Sequence, residues 1–366
     1  MSAPSPSPSP NLPGDAPAKG ASATSPPFHM RYPVLGGVAA GVMLRLAFSG
    51  QAGSPWSAMA GTFIFLAPLL VGMLTVYLAE RQYRRSWGYY VVAPVMAVSG
   101  FVVGTLVVMI EGLICVFVIL PLFAALGAAG GLLMGLICRL SHWPRPRQAL
   151  YSVGLLPLLV AAAGLDLPLP PEFGTIQRSV HIQAPPAVVR DHLLNTPAIP
   201  EAGMSQAWAM RIGVPAPRSS AMTATPQGWV RHSQWNKGVY FDEVIQDLDP
   251  QRLLRWTYRF HPDSFPPGAL DDHVLIGGHY FDLVDTQVRL TPALGGTDMQ
   301  VQTRYRISTH FNVYAGWWAR ALLGNFCEHM LQVYKARSEG LVPGRLGSKM
   351  PLSTGTHTPN GTQSAS

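Results

Sequence analysis

The stretch 290-LTPALGGTDMQVQTRYRI-307 decides the fold of the last part of this chain. Met299, Val301, Tyr305 and Ile307 alternate with Asp298, Gln300, Gln302, Arg304 and Arg306, the period of two expected of a strand with one apolar and one wet face. Just ahead of it, Thr291, Pro292, Gly295 and Gly296 supply turn residues, so the stretch predicts a hairpin. A half-wet hairpin belongs to a domain that meets water. The chain carrying it, however, is 48% apolar and only 12% charged over 366 residues, a composition of the membrane class.

Outward from the hairpin the strand pattern continues. Strands are predicted at 219–225, 228–236, 239–248, 251–261, 274–290 and 297–307, separated by turn-formers such as "TPQG" and "DLDPQ". Within 251–261, Leu254, Trp256, Tyr258 and Phe260 share one face, while Arg255, Arg259 and His261 share the other. The simplest arrangement is an antiparallel meander. Before it, "TIQRSVHIQAP" predicts a first strand. "PPAVVRDHLLNT" predicts a helix with proline at its mouth and Val188, Val189, His192 and Leu193 on one face, and a short helix follows within 200–211. After the hairpin, Trp318, Leu322, Phe326, Met330, Leu331 and Tyr334 recur at helical spacing through 314–338. A sheet of this kind buries its apolar face by curling around the final helix, which leaves room for a cavity between them.

Three segments carry a resemblance to a known family: "HIQAPPAVVRDHLLNT", the 290–307 hairpin, and the last helix "YAGWWARALLGNFCEHMLQVYKARSEG". Residues 176–338 resemble the START-like superfamily, also called SRPBCC or polyketide cyclase and dehydrase-like, of helix-grip proteins. That resemblance implies binding of lipids, sterols, polyketides or other hydrophobic molecules in the cavity, with only some members acting as enzymes. The candidate cavity-lining residues are then Trp256, Tyr258, Tyr280, Asp282, Tyr305, Trp318, Leu322 and Phe326.

Motifs for chemistry are sparse. The sequence contains no His-Glu-x-x-His metal motif, no Gly-x-Ser-x-Gly nucleophile elbow and no phosphate-cradling loop, so no catalytic residue, metal ligand or cofactor is assigned. Alternation places Asp242 and Val244 opposite Glu243, and places His279, Phe281 and Asp285 opposite Tyr280 and Asp282. A buried carboxylate beside a histidine would suit acid–base work, whereas the same residues on a wet face would be ordinary sheet pairs. His310, in "STHFN", fits a capping or surface position.

The first half is read differently. Apolar runs at 33–49, 56–79, 89–110, 113–138 and 149–165 predict five spans, with Glu111 and Gly112 marking a hairpin between the third and fourth. Arg45 near the end of the first run suits either an anionic partner or a side chain reaching the headgroups, and Glu111 either a proton relay or an interfacial turn. Gly131 and Gly135 predict close helix approach. Lys19 and Arg31, then Arg81, Arg84 and Arg85, then Arg139, Arg145 and Arg147 fall on one side if the spans number five. The amino terminus is then cytoplasmic and the last domain extracytoplasmic. Cys115, Cys138 and Cys327 are too dispersed for a disulfide framework.

The net charge of +7 is absorbed by those loops, which have no aromatic platform, and nucleic acid is not an expected partner. The expected organisation is a disordered tail at 1–31, a membrane domain at 32–165 with about five transmembrane helices, a linker at 166–175, an α+β helix-grip domain at 176–340 and a disordered tail at 341–366. The expected function is membrane-anchored binding of a lipid or other hydrophobic small molecule. The alternatives are a cyclase or dehydratase acting on a membrane-soluble substrate, and a sensory module with a membrane-protein partner.

Overall fold

A computed structural model describes residues 28–141, 156–163, 171–196, 198–199, 204, 206–249 and 253–341. All but the first residue of the expected tail at 341–366, most of the tail at 1–31, the loop arginines 145 and 147, half of the linker at 166–175 and most of the fifth span lie outside these residues.

The membrane part is built from α1 (Phe28–Ala47), a π-turn (Thr62–Leu66) running into α2 (Ala67–Glu80), α3 (Tyr89–Val107), α4 (Leu113–Leu140) and α5 (Leu156–Ala162). Three helices are long and apolar enough to cross a membrane: Thr62–Glu80, Tyr89–Val107 and Leu113–Leu140. The chain is thus a multi-pass membrane protein with fewer full-length spans than the five expected, among the described residues. The apolar part of α1, Tyr32–Ala47, is shorter than the other three, and only the seven residues of α5 represent the fifth run.

Glycine sets the spacing of this bundle. A Cβ on Gly72 of α2 would stand 2.0 Å from the Gly127 carbonyl oxygen of α4, and one on Gly130 would stand 2.0 Å from that of Leu69. Gly131 and Gly135 give Tyr90 of α3 the same room, with Cβ clearances of 2.2 and 2.3 Å. Close backbone approach of this kind replaces the hydrophobic drive that lipid cannot supply.

The second half follows the meander. β1 (Glu172–Ile182), α6 (Pro186–Leu194) and α7 (Trp208–Arg211) precede β2 (Pro217–Thr225), β3 (Gly228–Trp235), β4 (Tyr240–Asp249), β5 (Leu253–Arg259), β6 (Phe281–Ala293) and β7 (Gly296–Ile307). The last helix, α8, spans Asn312–Ser338. All neighbouring strands pair antiparallel in one sheet of order β1-β7-β6-β5-β4-β3-β2. The 290–307 hairpin turns at Gly295, whose φ of +78° suits only glycine at low cost. Val189 and Leu193 of α6, Leu254 and Trp256 of β5, Val288 and Leu290 of β6, Met299 of β7, and Leu331 and Tyr334 of α8 form one core. This is a helix-grip domain, an antiparallel meander wrapped on a long C-terminal helix.

Two departures from alternation matter. The strand expected at 274–290 begins only at Phe281, because Gly277 takes φ +78° and the carbonyls of Gly278 and His279 accept from the Arg306 guanidinium. Residues 262–280 therefore form a loop instead of extending the ladder. A bulge between Leu283 and Asp285 then reverses the side-chain facing. Asp285 lies outward, paired with Arg255 and Arg304, instead of sharing a face with Phe281 as strict alternation predicts.

The bundle's packing makes a direct prediction. Gly130→Leu places a side chain where the Leu69 carbonyl stands and should destabilise the bundle by about 1–3 kcal/mol. Thermal unfolding of the detergent-solubilised protein should show a drop of several degrees, and an unchanged midpoint would contradict the α2–α4 contact.

Candidate functional site

The helix-grip domain sits on the ends of the bundle formed by residues 48–61 and 108–112. Tyr280 anchors the first of these, its hydroxyl accepting from the Gly53 amide at 2.8 Å and lying 2.9 Å from Ser57 Oγ. At the second, Glu111 takes the Arg45 Nε hydrogen bond at 2.7 Å and lies 3.6 Å from His273 Nε2 in the 262–280 loop. Burial opposes the Glu111 charge, but His273, and with it Arg45, holds its carboxyl below the usual range. Arg45, whose Nη1 also donates to the Phe48 carbonyl, is buried and tied within the protein instead of reaching outward. A third tie joins helix to helix, where the Tyr314 hydroxyl of α8 donates to the Val118 carbonyl of α4 at 2.5 Å.

These contacts roof a cavity of about 230 Å³ whose walls come from both halves of the chain. Phe63, Phe101, Val116, Ile119 and Phe123 contribute from the bundle, and Tyr280, Phe281, Leu283, Trp318, Leu322 and Phe326 from the domain. Its surface is almost wholly apolar, with Arg45, Glu111 and His273 as the ionisable exceptions at one margin. Phe117 of α4 meets Trp318 edge-on at 5.4 Å, and Trp208 closes the same aromatic group. The apolar runs that sequence reading set aside as membrane spans are therefore half of the cavity wall.

A second, inner cavity of about 110 Å³ lies between the sheet and α8. Trp235, Ile276, Leu283 and Phe326 line both cavities, so they form the layer between them. Trp235 and Phe326 are stacked there, with centroids 5.3 Å apart and planes at 19°.

The inner cavity carries a buried polar group. Arg231 of β3 forms an ion pair with Glu243 of β4, donates to the Leu193 carbonyl at 2.9 Å and lies over the Trp256 ring at 4.4 Å. Ser233 Oγ donates to the remaining Glu243 oxygen at 2.8 Å. Burial works against the Arg231 charge, but Glu243 outweighs it and holds the guanidinium proton more tightly than usual. Beside them the hydroxyls of Tyr258, Thr286 and Thr303 form a chain with steps of 2.6 and 2.8 Å, and burial pushes the Tyr258 phenol far up. Burial also pushes the Cys327 thiol up to about 11, so it is a neutral wall group at pH 7. Trp256, which lines this chamber, has its Nε1 buried without a well-formed hydrogen bond.

The residues singled out from sequence thus divide. Tyr280, Trp318 and Leu322 line the outer cavity, Trp256 and Tyr258 the inner one, and Phe326 both. Tyr305 lines neither: it packs in a separate core with Ile176, Ile307 and Ala319. Asp282 also lines neither and stands opposite Arg306 in the β6–β7 register, where burial raises its pKa and Arg306 pulls the other way. Asp242 is on the outer face, 2.7 Å from His232 and 3.1 Å from His261. The ring of His279 crosses edge-on to that of Tyr280 and lies against Gly53. Sequence reading missed Arg231 and the 262–280 loop. An arginine among apolar strand neighbours, in "GWVRHSQW", was the available signal.

No protein-family model matches the chain, and no curated protein matches it. Among solved structures, a START superfamily protein from Mycobacterium smegmatis is 11% identical, with a TM-score of 0.31, covering 46% of this chain and 99% of its own. A truncated norcoclaurine synthase from Thalictrum flavum is 8% identical, with a TM-score of 0.29, covering 46% of this chain and 95% of its own. Protein CV1439 from Chromobacterium violaceum is 15% identical, with a TM-score of 0.25, covering 45% of this chain and 96% of its own. Strand order and the seating of α8 carry the fold assignment: a helix-grip domain joined to apolar helices.

The buried pair yields the second prediction. Arg231→Met or Glu243→Met alone strands a partner and should cost about 3–5 kcal/mol, whereas the two changes together should cost less than either single change. Denaturant unfolding of the four proteins forms the cycle. Additive losses would mean that the two side chains are not coupled.

Proposed function

We propose that this protein binds a lipid or other hydrophobic small molecule in the outer cavity and exchanges it between the bilayer and the helix-grip domain. The observation that carries this reading is the shared wall: one apolar cavity is lined at once by α3 and α4 and by β6 and α8. A ligand there leaves hydrocarbon without crossing water. Its methylenes are worth about 0.8 kcal/mol each against water in the bilayer and in the apolar cavity alike, so exchange between the two runs near balance. The two cavities together reach the lower end of the roughly 300–1,000 Å³ typical of small-molecule sites. Trp318, Leu322, Phe326 and Tyr280 are the outer wall in this reading. Arg231, Glu243, Ser233, Tyr258, Thr286 and Thr303 are polar groups of the inner wall placed to meet a ligand's polar end.

The organisation follows the same reading. The helix-grip unit runs from β1 to about residue 340, after a membrane unit ending near 165. Its surface against the bundle uses 48–61 and 108–112, which contain no Lys or Arg, while Arg81, Arg84, Arg85 and Arg139 stand at the other end. The positive-inside rule then places the domain outside the cytoplasm. α4 ends among those arginines, and Leu158 and Ala161 of α5 pack in the cluster that holds Phe48 and Phe63, which supports a further crossing between them. A catalytic reading is weaker, because Glu243 is already held by Arg231 and Ser233, and Asp242, Asp282 and His279 line neither cavity.

Native mass spectrometry of the full chain in mild detergent tests this. A discrete added mass matching a lipid or isoprenoid is expected, and Leu322→Trp, which fills the outer cavity, should lower the bound fraction at least tenfold. A bare protein mass after incubation with total host lipid extract would sink lipid binding and favour a sensory or partner-binding module.

A further inference from the structure

The end of the bundle away from the helix-grip domain holds a second cluster that the cavity does not use. Glu80, the last residue of α2, is buried, and its Oε1 accepts from the Arg85 amide at 2.7 Å and from the Tyr90 hydroxyl at 2.9 Å. Its other oxygen lies 3.6 Å from Arg84 Nε. Arg139 of α4 spans the gap, donating from Nε to the Tyr90 hydroxyl at 3.3 Å and from Nη2 to the Arg85 carbonyl at 3.0 Å.

Arg85 is left over. Only 8% of it is exposed, and its Nε and Nη2 are buried with no hydrogen-bond partner. Its guanidinium lies 3.5 Å from the Tyr83 ring centroid and 4.8 Å from that of Tyr89, whose hydroxyl is also buried and unpartnered. Ring faces offset part of the desolvation of a cation, but they accept no in-plane hydrogen bonds from the guanidinium fork. Nor is a carboxylate at hand. Glu80 is engaged, and the sequence has no Asp or Glu at 81–110 or 112–165. Arg81, Arg84, Arg85 and Arg139 thus lie at an end of the bundle where Glu80 is the one carboxylate among the described residues.

The surroundings suit the level of lipid headgroups. Tyr83 is 43% exposed and Trp87 50% exposed, aromatic side chains of the kind that settle at the membrane–water boundary, and Leu140 beside them is 73% exposed. Arg139 stacks on the Trp87 ring at 4.5 Å, which keeps a second guanidinium at the same level.

We propose that this cluster is a binding site for the phosphate of an anionic phospholipid, with Arg85 as the donor fork and Arg84 and Arg139 as its flanking charges. A phosphate oxygen pair matches the planar donor geometry of arginine and neutralises the excess charge, which neither water nor a ring does. Tyr83, the more exposed of the two covering rings, is the side chain that moves to admit it. The acyl chains then lie along α3 and α4, whose outer residues Val92, Met96, Leu136 and Leu140 are exposed.

Native mass spectrometry of the full chain in a neutral detergent, with phosphatidylglycerol or phosphatidylcholine of identical chains, tests the site. Retention of the anionic lipid at least tenfold above the zwitterionic one is expected, with loss in Arg85→Gln and no displacement by millimolar inorganic phosphate. Leu322→Trp should leave that retention unchanged, which separates this site from the cavity. If Arg85→Gln fails to fold, two further variants decide. Arg85→Lys should keep the charge but lose most of the preference, and Tyr83→Ala should raise retention. Equal retention of the two lipids, or a preference indifferent to Arg85→Lys and Tyr83→Ala, would overturn the proposal. Displacement by inorganic phosphate would reassign the site to a free anion and overturn the lipid assignment.

Discussion

The seating of the helix-grip domain on residues 48–61 and 108–112 is the contact on which the rest of this structure depends. It closes one end of the outer cavity with apolar side chains from α3 and α4 and places Arg45, Glu111 and His273 together at its margin. Free of the bundle, the domain would open Phe281, Leu283, Trp318 and Leu322 to water, a patch of the kind soluble proteins seldom expose. The bundle alone would leave Arg45 and Glu111 paired with each other at the boundary, without His273. Each half thus completes the other's burial.

Polarity is graded along the path that results. The outer cavity is apolar apart from its margin, the Trp235–Phe326 stack lies in the middle, and the inner cavity ends on the Arg231–Glu243 pair and the Tyr258–Thr286–Thr303 chain. A buried pair with no apolar substitute is weak evidence for stability and better evidence for specificity. Here it gives the deep end of the path a fixed polar terminus, while the ionisable groups of the outer cavity stay at its Arg45–Glu111–His273 margin.

Much of the architecture was legible from residue patterns. Hairpin 290–307, the Trp256 strand and the Trp318–Tyr334 helix face are periodic enough that local order and burial agree, so the helix-grip domain could be read before its topology was seen. Departures came where backbone geometry broke the period. The bulge after Leu283 turned Asp285 outward, and Gly277 with the Arg306 hydrogen bonds converted 274–280 from strand to loop. Tyr305 and Asp282 were misplaced for two further reasons: α8 packs directly on Tyr305 through Ala319 and leaves no space there, and Asp282 shares with Arg306 the sheet face opposite Phe281 and Leu283.

Composition and period by themselves determined a membrane half, a meander gripping a last helix, and an apolar interior, because these follow from local propensity and hydrophobic burial. Only the tertiary structure decided that the two halves share one cavity, that Arg45 meets Glu111 across 66 residues, and that Arg231 faces Glu243 inside the domain. Those pairings depend on the relative placement of distant segments, and sequence period carries no information about distance between elements that are not neighbours.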